Sequence, residues 1–265
     1  MNFYGISIFE VADFIERPLF IDQILEIVRN RIFDFVQLLI APDSYNDTYI
    51  TVKEKMKDIK TVIHAPYRTQ DIDTGNKNAF IKNTTNLKDT QKFADLLNSD
   101  IIVLHPGVGD GEKYLCETIR QFKAFSDPRI AVENLPYSPR SEQLHGSTPE
   151  NIKRIIEETE CKFCFDFSHA ICAANSLKRN VYDDFSEYNA MSPVLYHLSD
   201  GDFSSPVDDH LHLGKGNYDI AKIFREFITK NIPIALETKE EESDGVAAWI
   251  KDIEYIKKMK MTLDE

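Results

Sequence analysis

The sequence contains no long apolar run. Nothing in it approaches the roughly 18 consecutive apolar residues that a membrane-spanning helix requires, so no membrane segment is expected. Cysteine is scarce as well: Cys116, Cys161, Cys164 and Cys172 are too few, in a chain of 265 residues, for a disulfide framework. The lone CxxC lies in "CKFCFDF", where Cys161, Phe163 and Phe165 alternate like one face of a strand; reduced, buried thiols are expected there rather than a zinc or redox pair. The opening segment, "MNFYGISIFEVADFIE", lacks the basic start of a signal peptide and soon turns acidic, which points to a soluble cytoplasmic protein. Positive charge is also in deficit, since 31 Lys and Arg face 44 Asp and Glu for a net charge of −13. That balance works against broad binding to phosphate backbones, which relies on clustered cations. It leaves room for a locally positive site supplied by divalent metals. No linker, low-complexity tract or short-period repeat interrupts the chain, so a single domain over residues 1–265, acting as a monomer, is expected.

What the sequence does have is alternation. Short β-branched or aromatic runs at 3–9, 33–41, 60–66, 100–106, 129–135, 162–167, 194–200 and 232–238 read as strands. Helical patterns follow them at 20–30, 46–58, 78–98, 111–125, 147–159, 169–190, 217–229 and 243–259. The first helix shows an apolar stripe of Ile21, Ile24, Leu25 and Val28, and the last one of Val246, Trp249, Ile250, Ile253 and Ile256. For 78–98 the predicted inner side is Phe80, Ile81, Leu87, Phe93, Leu96 and Leu97. At 147–159, Ser147 or Thr148 is the expected cap, with Pro149 in the first turn. Eight such units predict an α/β fold, a (β/α)8 TIM barrel. The competing doubly wound sheet lacks its dinucleotide fingerprint after the first strand.

In a barrel all C-terminal strand ends open on one face, where active sites sit. Strands three to eight carry His64, His105, Glu133, Asp166, His197 and Glu237 at or near those ends, and His169 follows Asp166 three residues on. So four of the seven histidines converge there with three carboxylates. Clustered acids repel one another unless they are protonated or bind cations. Mixed His and carboxylate ligands suit zinc, manganese or cobalt better than calcium. The stretch "VDDHLHLGKG", 207–216, hangs over the same mouth. In an extended segment Asp208 and His210 share a side and can reach one metal, with His169 as a candidate third ligand; Asp209 and His212 fall out of phase or reach. Gly214, Lys215 and Gly216 offer backbone N–H groups and a charge to a phosphate. The plain alternative is a flexible loop leading to a helix capped by Asn217.

The motifs "IHAPY", "VLHPG", "VENLP", "FDFSHA", "YHLSD", "VDDHLHLGKGN" and "LET", in that order, resemble the endonuclease IV family of abasic-site repair enzymes, within the wider xylose isomerase-like barrels. The resemblance covers nearly the whole chain, best over 60–238. It implies a trinuclear zinc centre whose ligand positions are all filled: His64 and His105 sharing one zinc with Glu133; Glu133 reaching a second held by Asp166, His197 and Glu237; His169, Asp208 and His210 holding the third. The implied reaction is hydrolysis of the DNA phosphodiester 5′ to an abasic site by metal-activated water. No side chain then serves as general base, and the catalytic candidate is Glu133, which bridges two ions and orients the nucleophile. Tyr67 matches a tyrosine that the family sets against DNA, with a tyrosine packed on the rim as the plain alternative. The chain departs from the repair enzymes at "ISIFEVADF", where they have an "HVSAAGG"-like segment, at Asp209, where they carry Arg, and at Lys215, where Glu is usual. With the acidic balance, these departures keep a small phosphate or sugar substrate in view beside DNA. The alternative function is a metal-dependent sugar or sugar-phosphate isomerase or epimerase, for which Glu133, Asp166, His197 and Glu237 around one or two metals would suffice. The completeness of the remaining set, His64, His105, His169, Asp208 and His210, favours hydrolysis. Up to three zinc ions are expected, with manganese as a possible substitute.

Overall fold

In the computed structural model, which describes residues 2–67, 72–109, 111–137, 145–239 and 245–263, eight strands close into a barrel. They are β1 (Tyr4–Ile8), β2 (Phe35–Leu39), β3 (Thr61–His64), β4 (Ile102–Leu104), β5 (Ile130–Glu133), β6 (Lys162–Asp166), β7 (Leu195–Leu198) and β8 (Ile234–Leu236). Every neighbouring pair is parallel, and β8 closes on β1 with Tyr4 opposite Ile234. Around them lie α1 (Asp13–Glu16), α2 (Pro18–Arg29), α3 (Tyr45–Lys55), α4 (Phe80–Leu97), α5 (Glu112–Phe125), α6 (Pro149–Thr159), α7 (Phe167–Leu177), α8 (Val181–Asn189), α9 (Ile220–Lys222) and α10 (Ala247–Leu263). Among the described residues no helix is long and apolar enough to cross a membrane.

Strand side chains alternate between the helix layer and the barrel interior. Ile6, Leu38, Ile63, Leu104, Val132, Phe165, Tyr196 and Leu236 face outward into the main core. Inward, Phe35, Val62, Val103, Ala131, Cys164, Leu195 and Ala235 form a separate apolar floor. Gly5 completes it by having no side chain, since a Cβ there would lie 2.2 Å from the Phe35 ring. Two residues further along each strand the same inward face becomes polar: Ser7, Gln37, His64, His105, Glu133, Asp166, His197 and Glu237. The polar layer therefore rests on a packed floor, which fixes its height in the barrel.

Several elements differ from the sequence reading. Cys164 belongs to the floor while Cys161 packs on the outer core, so a three-residue offset puts the CxxC thiols on opposite sides of the strand. Cys161 is only part-buried, and burial pushes the Cys164 thiol up to about 12. Helix α4 turns Ile81 to solvent at 81% exposure. Its inner stripe runs instead through Asn83, Asn86, Leu87, Thr90, Phe93 and Ala94. Asn83 is tolerated inside because its amide donates to Asp73 O and Gln121 Oε1, both at 2.7 Å. The helix expected over 169–190 is two, because Lys178 turns left-handed and Asn180 caps α8. The helix expected from Asn217 begins at Ile220, capped by Asp219, and continues as a π-helical turn, Ile223–Phe227. Asn217 instead accepts from Phe203 N at 2.6 Å. Thr148 caps α6 with Pro149 behind it, as expected.

Candidate metal centre

The polar layer gathers into three groups, each with its ligand atoms within 4.8 Å of one another: His64, His105 and Glu133; Glu133, Asp166, His197 and Glu237; His169, Asp208 and His210. Glu133 belongs to two of them. Its Oε2 lies 2.9 Å from His105 Nε2 and 3.3 Å from His64 Nε2, and its Oε1 lies 3.0 Å from His197 Nδ1. His197 Nδ1 also lies 3.3 Å from Glu237 and 3.8 Å from Asp166. In the third group Asp208 Oδ2 stands 3.0 Å from His210 Nε2 and 3.3 Å from His169 Nε2.

Helix capping explains the Asp-x-x-His spacing. Asp166 is the N-cap of α7, and its Oδ1 accepts from His169 N at 2.7 Å. Cap and third helical residue are neighbours in space, so both side chains turn to the mouth.

The ring nitrogens reveal what these groups fit. His64 Nδ1 donates to Ala65 O at 2.7 Å, His169 Nδ1 to Asn134 O at 2.9 Å and His210 Nδ1 to Glu237 O at 2.7 Å. A carbonyl can only accept, so in each neutral ring the proton sits on Nδ1 and Nε2 keeps its lone pair. That lone pair then faces a carboxylate oxygen. Two acceptors at about 3 Å require a cation between them, either a proton or a metal. Asp208 Oδ2 makes the point most sharply, since it is buried and has no hydrogen bond of acceptable geometry. Backbone carbonyls that hold the second nitrogen of a histidine are the usual outer support of a metal ligand. The donor set and its orientation therefore fit zinc-type divalent ions.

The electrostatics agree. Burial opposes charge on His169 and His197, but Asp166, Asp208 and Glu133 outweigh it at His169, and the Cys164 thiol with Glu237 and Glu133 outweighs it at His197, so both are raised well above the ordinary histidine range. Burial, reinforced by Asp208 and Glu133, pushes the Asp166 carboxyl up to about 7 against the pull of His169 and His197. Glu133 is held well below the carboxylate range: burial works against that, and His197 and His105 prevail. His105 is lowered by burial. Metal binding to these groups would release whatever protons they hold.

Asp208 and His210 come together in a way the extended-segment reading did not foresee. His210 has φ +48°, in the left-handed region, and its N–H turns back to Asp208 Oδ1 at 3.3 Å. His212 is buried away from the mouth, with Nδ1 2.7 Å from Asp252 Oδ2. The residues expected to cradle a phosphate are occupied elsewhere: Gly214 N donates to Asp200 Oδ2 at 2.8 Å and Lys215 N to His212 O at 3.0 Å. Asp200 also takes the N–H groups of Gly201 and Tyr218, so this loop has enclosed an anion of its own. Gly216 is required by close approach, because a Cβ would lie 2.2 Å from Gly201 O. None of Gly214, Lys215 and Gly216 lines the cavity over the metal groups.

That cavity has a volume of about 430 Å³. Its floor includes His64, His105, His169, His210 and Glu237, its wall Ile8, Phe9, Leu39 and Tyr67, and Lys239 is the one Lys or Arg among the described residues that line it. Tyr67 stands beside His105, ring centroids 6.0 Å apart, and Phe9 beside His210 at 6.5 Å.

A family model described as xylose isomerase-like TIM barrel matches residues 26–259. The chain belongs to that family. It is 25% identical over 224 residues to the protein named Endonuclease 4 of Thermus thermophilus, covering 78% of this chain and 81% of the relative. Among solved structures, a D-tagatose 3-epimerase-like protein superposes with a TM-score of 0.74 at 18% identity, over 100% of this chain and 98% of the other. Endonuclease IV from Thermus thermophilus superposes with a TM-score of 0.68 at 20% identity, over 97% and 100%. At these identities the structural likeness shows the fold.

Within this xylose isomerase-like barrel, three polar residues that the sequence did not single out support the groups. Asn134 is fully buried and clamps β5 to β6: its side chain donates to Asp166 O and accepts from Asp166 N, both at 2.8 Å. Gln37 and Ser7 fill the remaining places of the polar layer. Asn134 stands inside "VENLP" and could have been suspected there; Gln37 and Ser7 carry no sequence signal.

Proposed function

We propose that the protein is a metal-dependent phosphodiesterase of the endonuclease IV type, cleaving the phosphodiester 5′ to abasic sites in DNA with up to three zinc ions. One observation carries this reading: beyond the four-ligand group Glu133, Asp166, His197 and Glu237, the mouth holds a complete third group, His169, Asp208 and His210. Isomerase or epimerase chemistry has little use for it. Bound divalent ions would lower the pKa of water and stabilise charge on the attacking and leaving oxygens. The chain's own residues then have distinct tasks. Glu133 offers one oxygen to each of two groups and so sets their separation. His64, His169 and His210, fixed by backbone carbonyls, keep Nε2 aimed inward. Tyr67 and Phe9 flank the opening and bear on what enters.

The cavity favours a second reading. About 430 Å³ with an apolar wall and Lys239 suits a sugar or sugar phosphate, and an isomerase or epimerase would use the four-ligand group alone. Elemental metal analysis together with cleavage of a duplex containing one abasic site separates the two. Three ions per chain with cleavage is the expected result. A single ion, no cleavage and turnover of a sugar phosphate would overturn the first reading for the second.

A further inference from the structure

We infer that Gln37, which belongs to none of the three metal groups, is a positioning residue that determines which nitrogen His197 offers to an ion. The inference rests on the metal-centre reading above. Gln37 stands on β2 in the polar layer, 2% exposed, 160 residues from His197 and 200 from Glu237. Its neighbours permit one orientation of the amide. Glu237 Oε1, 2.6 Å away, only accepts while ionised, so the amide nitrogen must face it; the same nitrogen lies 3.3 Å from Ser7 Oγ. The opposite orientation would set two oxygens against each other. The amide oxygen is thereby turned to His197 Nε2 at 2.9 Å, where it accepts the ring N–H. With the proton held on Nε2, the Nδ1 lone pair points to Glu133, Glu237 and Asp166.

His197 differs in this from its neighbours. His64, His169 and His210 are fixed by backbone carbonyls and offer Nε2. His197 is fixed by a side chain and offers Nδ1. The same amide also steadies Glu237, a second member of the four-ligand group. One substitution can therefore loosen two ligands of one group while leaving the third group, across the mouth, in place.

The test is a zinc titration against a competing chelator on wild type, Gln37→Met and Gln37→Asn, with long-range proton–nitrogen NMR of the loaded proteins. Gln37→Met has similar length and no amide. It is expected to bind one ion about 10–100-fold more weakly, the usual cost of losing an outer support, with the ion at His169, Asp208 and His210 unchanged. Gln37→Asn, too short to reach both partners, is expected to shift the same ion in the same direction. Loaded wild type is expected to show His197 protonated on Nε2, and His64, His169 and His210 protonated on Nδ1. Equal zinc affinities in wild type and Gln37→Met overturn the inference alone, as does a proton on His197 Nδ1 in loaded wild type, a result that needs no variant to fold. A uniform weakening of every ion in both variants assigns Gln37 a merely structural role and overturns it too. Wild type that takes up no zinc overturns the metal-centre reading, and the inference with it.

Discussion

Glu133, Asp166 and His197 stand on paired strands and Glu237 just past the end of one, whereas Asp208 and His210 stand on a loop between β7 and α9. The first set inherits its geometry from the barrel. His197 pairs with strands on both sides, Glu133 and Asp166 with one, and Glu237 N bonds to Leu198 O just past β8; the side chains are at most 9% exposed, and the apolar floor beneath cannot yield without losing packing. The loop set is held by fewer ties: an antiparallel bridge between Asp200 and Leu211, the bond from Lys239 N to His210 O at 2.9 Å, and His210 Nδ1 on Glu237 O. His210 is 34% exposed at its side chain and left-handed at its backbone. Regions with few buried contacts open locally at lower cost than strands of a closed sheet. The same kind of ligand is thus held rigidly in one region and conditionally in the other, and an ion at the loop group is expected to leave first.

The comparison breaks most visibly at Glu133, which spans two groups. Glu133→Gln is expected to lose two of the three ions on dialysis and nearly all phosphodiesterase activity, because the amide removes the charge both groups need; even an outer support costs about 10–100-fold. Elemental analysis checks it, and full activity with intact metal content would end the assignment of Glu133 as a bridge. Asp208→Ala should act on one ion only. Its oxygen is the common neighbour of His169 and His210, so that site is expected to empty while the other two stay filled, with the melting temperature of the metal-free protein nearly unchanged. Loss of all three ions in this variant would mean that the two regions are coupled rather than separate.

A smaller effect distinguishes the regions through their glycines. A methyl at Gly5 would strike the Phe35 ring in the floor, and one at Gly216 would strike Gly201 O in the loop. Overpacking of this kind costs about 1–3 kcal/mol. Gly5→Ala is expected to lower the melting temperature without selective loss of an ion. Gly216→Ala should displace the segment carrying Asp208 and His210 and weaken that ion first. Chelator titrations of the two variants, read beside thermal melts, decide it; identical metal profiles would remove the distinction.

How much of this was legible beforehand follows the same division. The barrel and its strand-end ligands could be read because strand ends converge by geometry and histidine is rare, seven in the chain. The loop could be read only in part. Asp208 and His210 were identified, but their meeting depends on a left-handed residue, and nothing local announces that in a histidine. Gly214, Lys215 and Gly216 looked like an anion cradle because the sequence does not show that Asp200 already occupies the Gly214 N–H. Gln37 was illegible for another reason: amides are common, and its meaning lies entirely in partners 160 and 200 residues away. Ile81 misled because buried asparagine, bonded on both sides, can replace an apolar side chain inside a helix contact.

The smallest expected effect concerns Asp209, part-buried beside the loop group, where the repair enzymes that the chain resembles carry arginine. If duplex DNA passes over this loop, Asp209 repels the backbone and Asp209→Arg replaces repulsion with attraction. One added phosphate contact steepens the dependence of log K on log salt by about 0.9. Duplex affinity is therefore expected to rise several-fold at low salt, with a salt slope steeper by about one ion and no change in metal content. Fluorescence anisotropy across a salt series measures both at once. An unchanged slope would mean that DNA does not cross the loop half of the site, and the small cavity beside Lys239 would then be the place to look for the substrate.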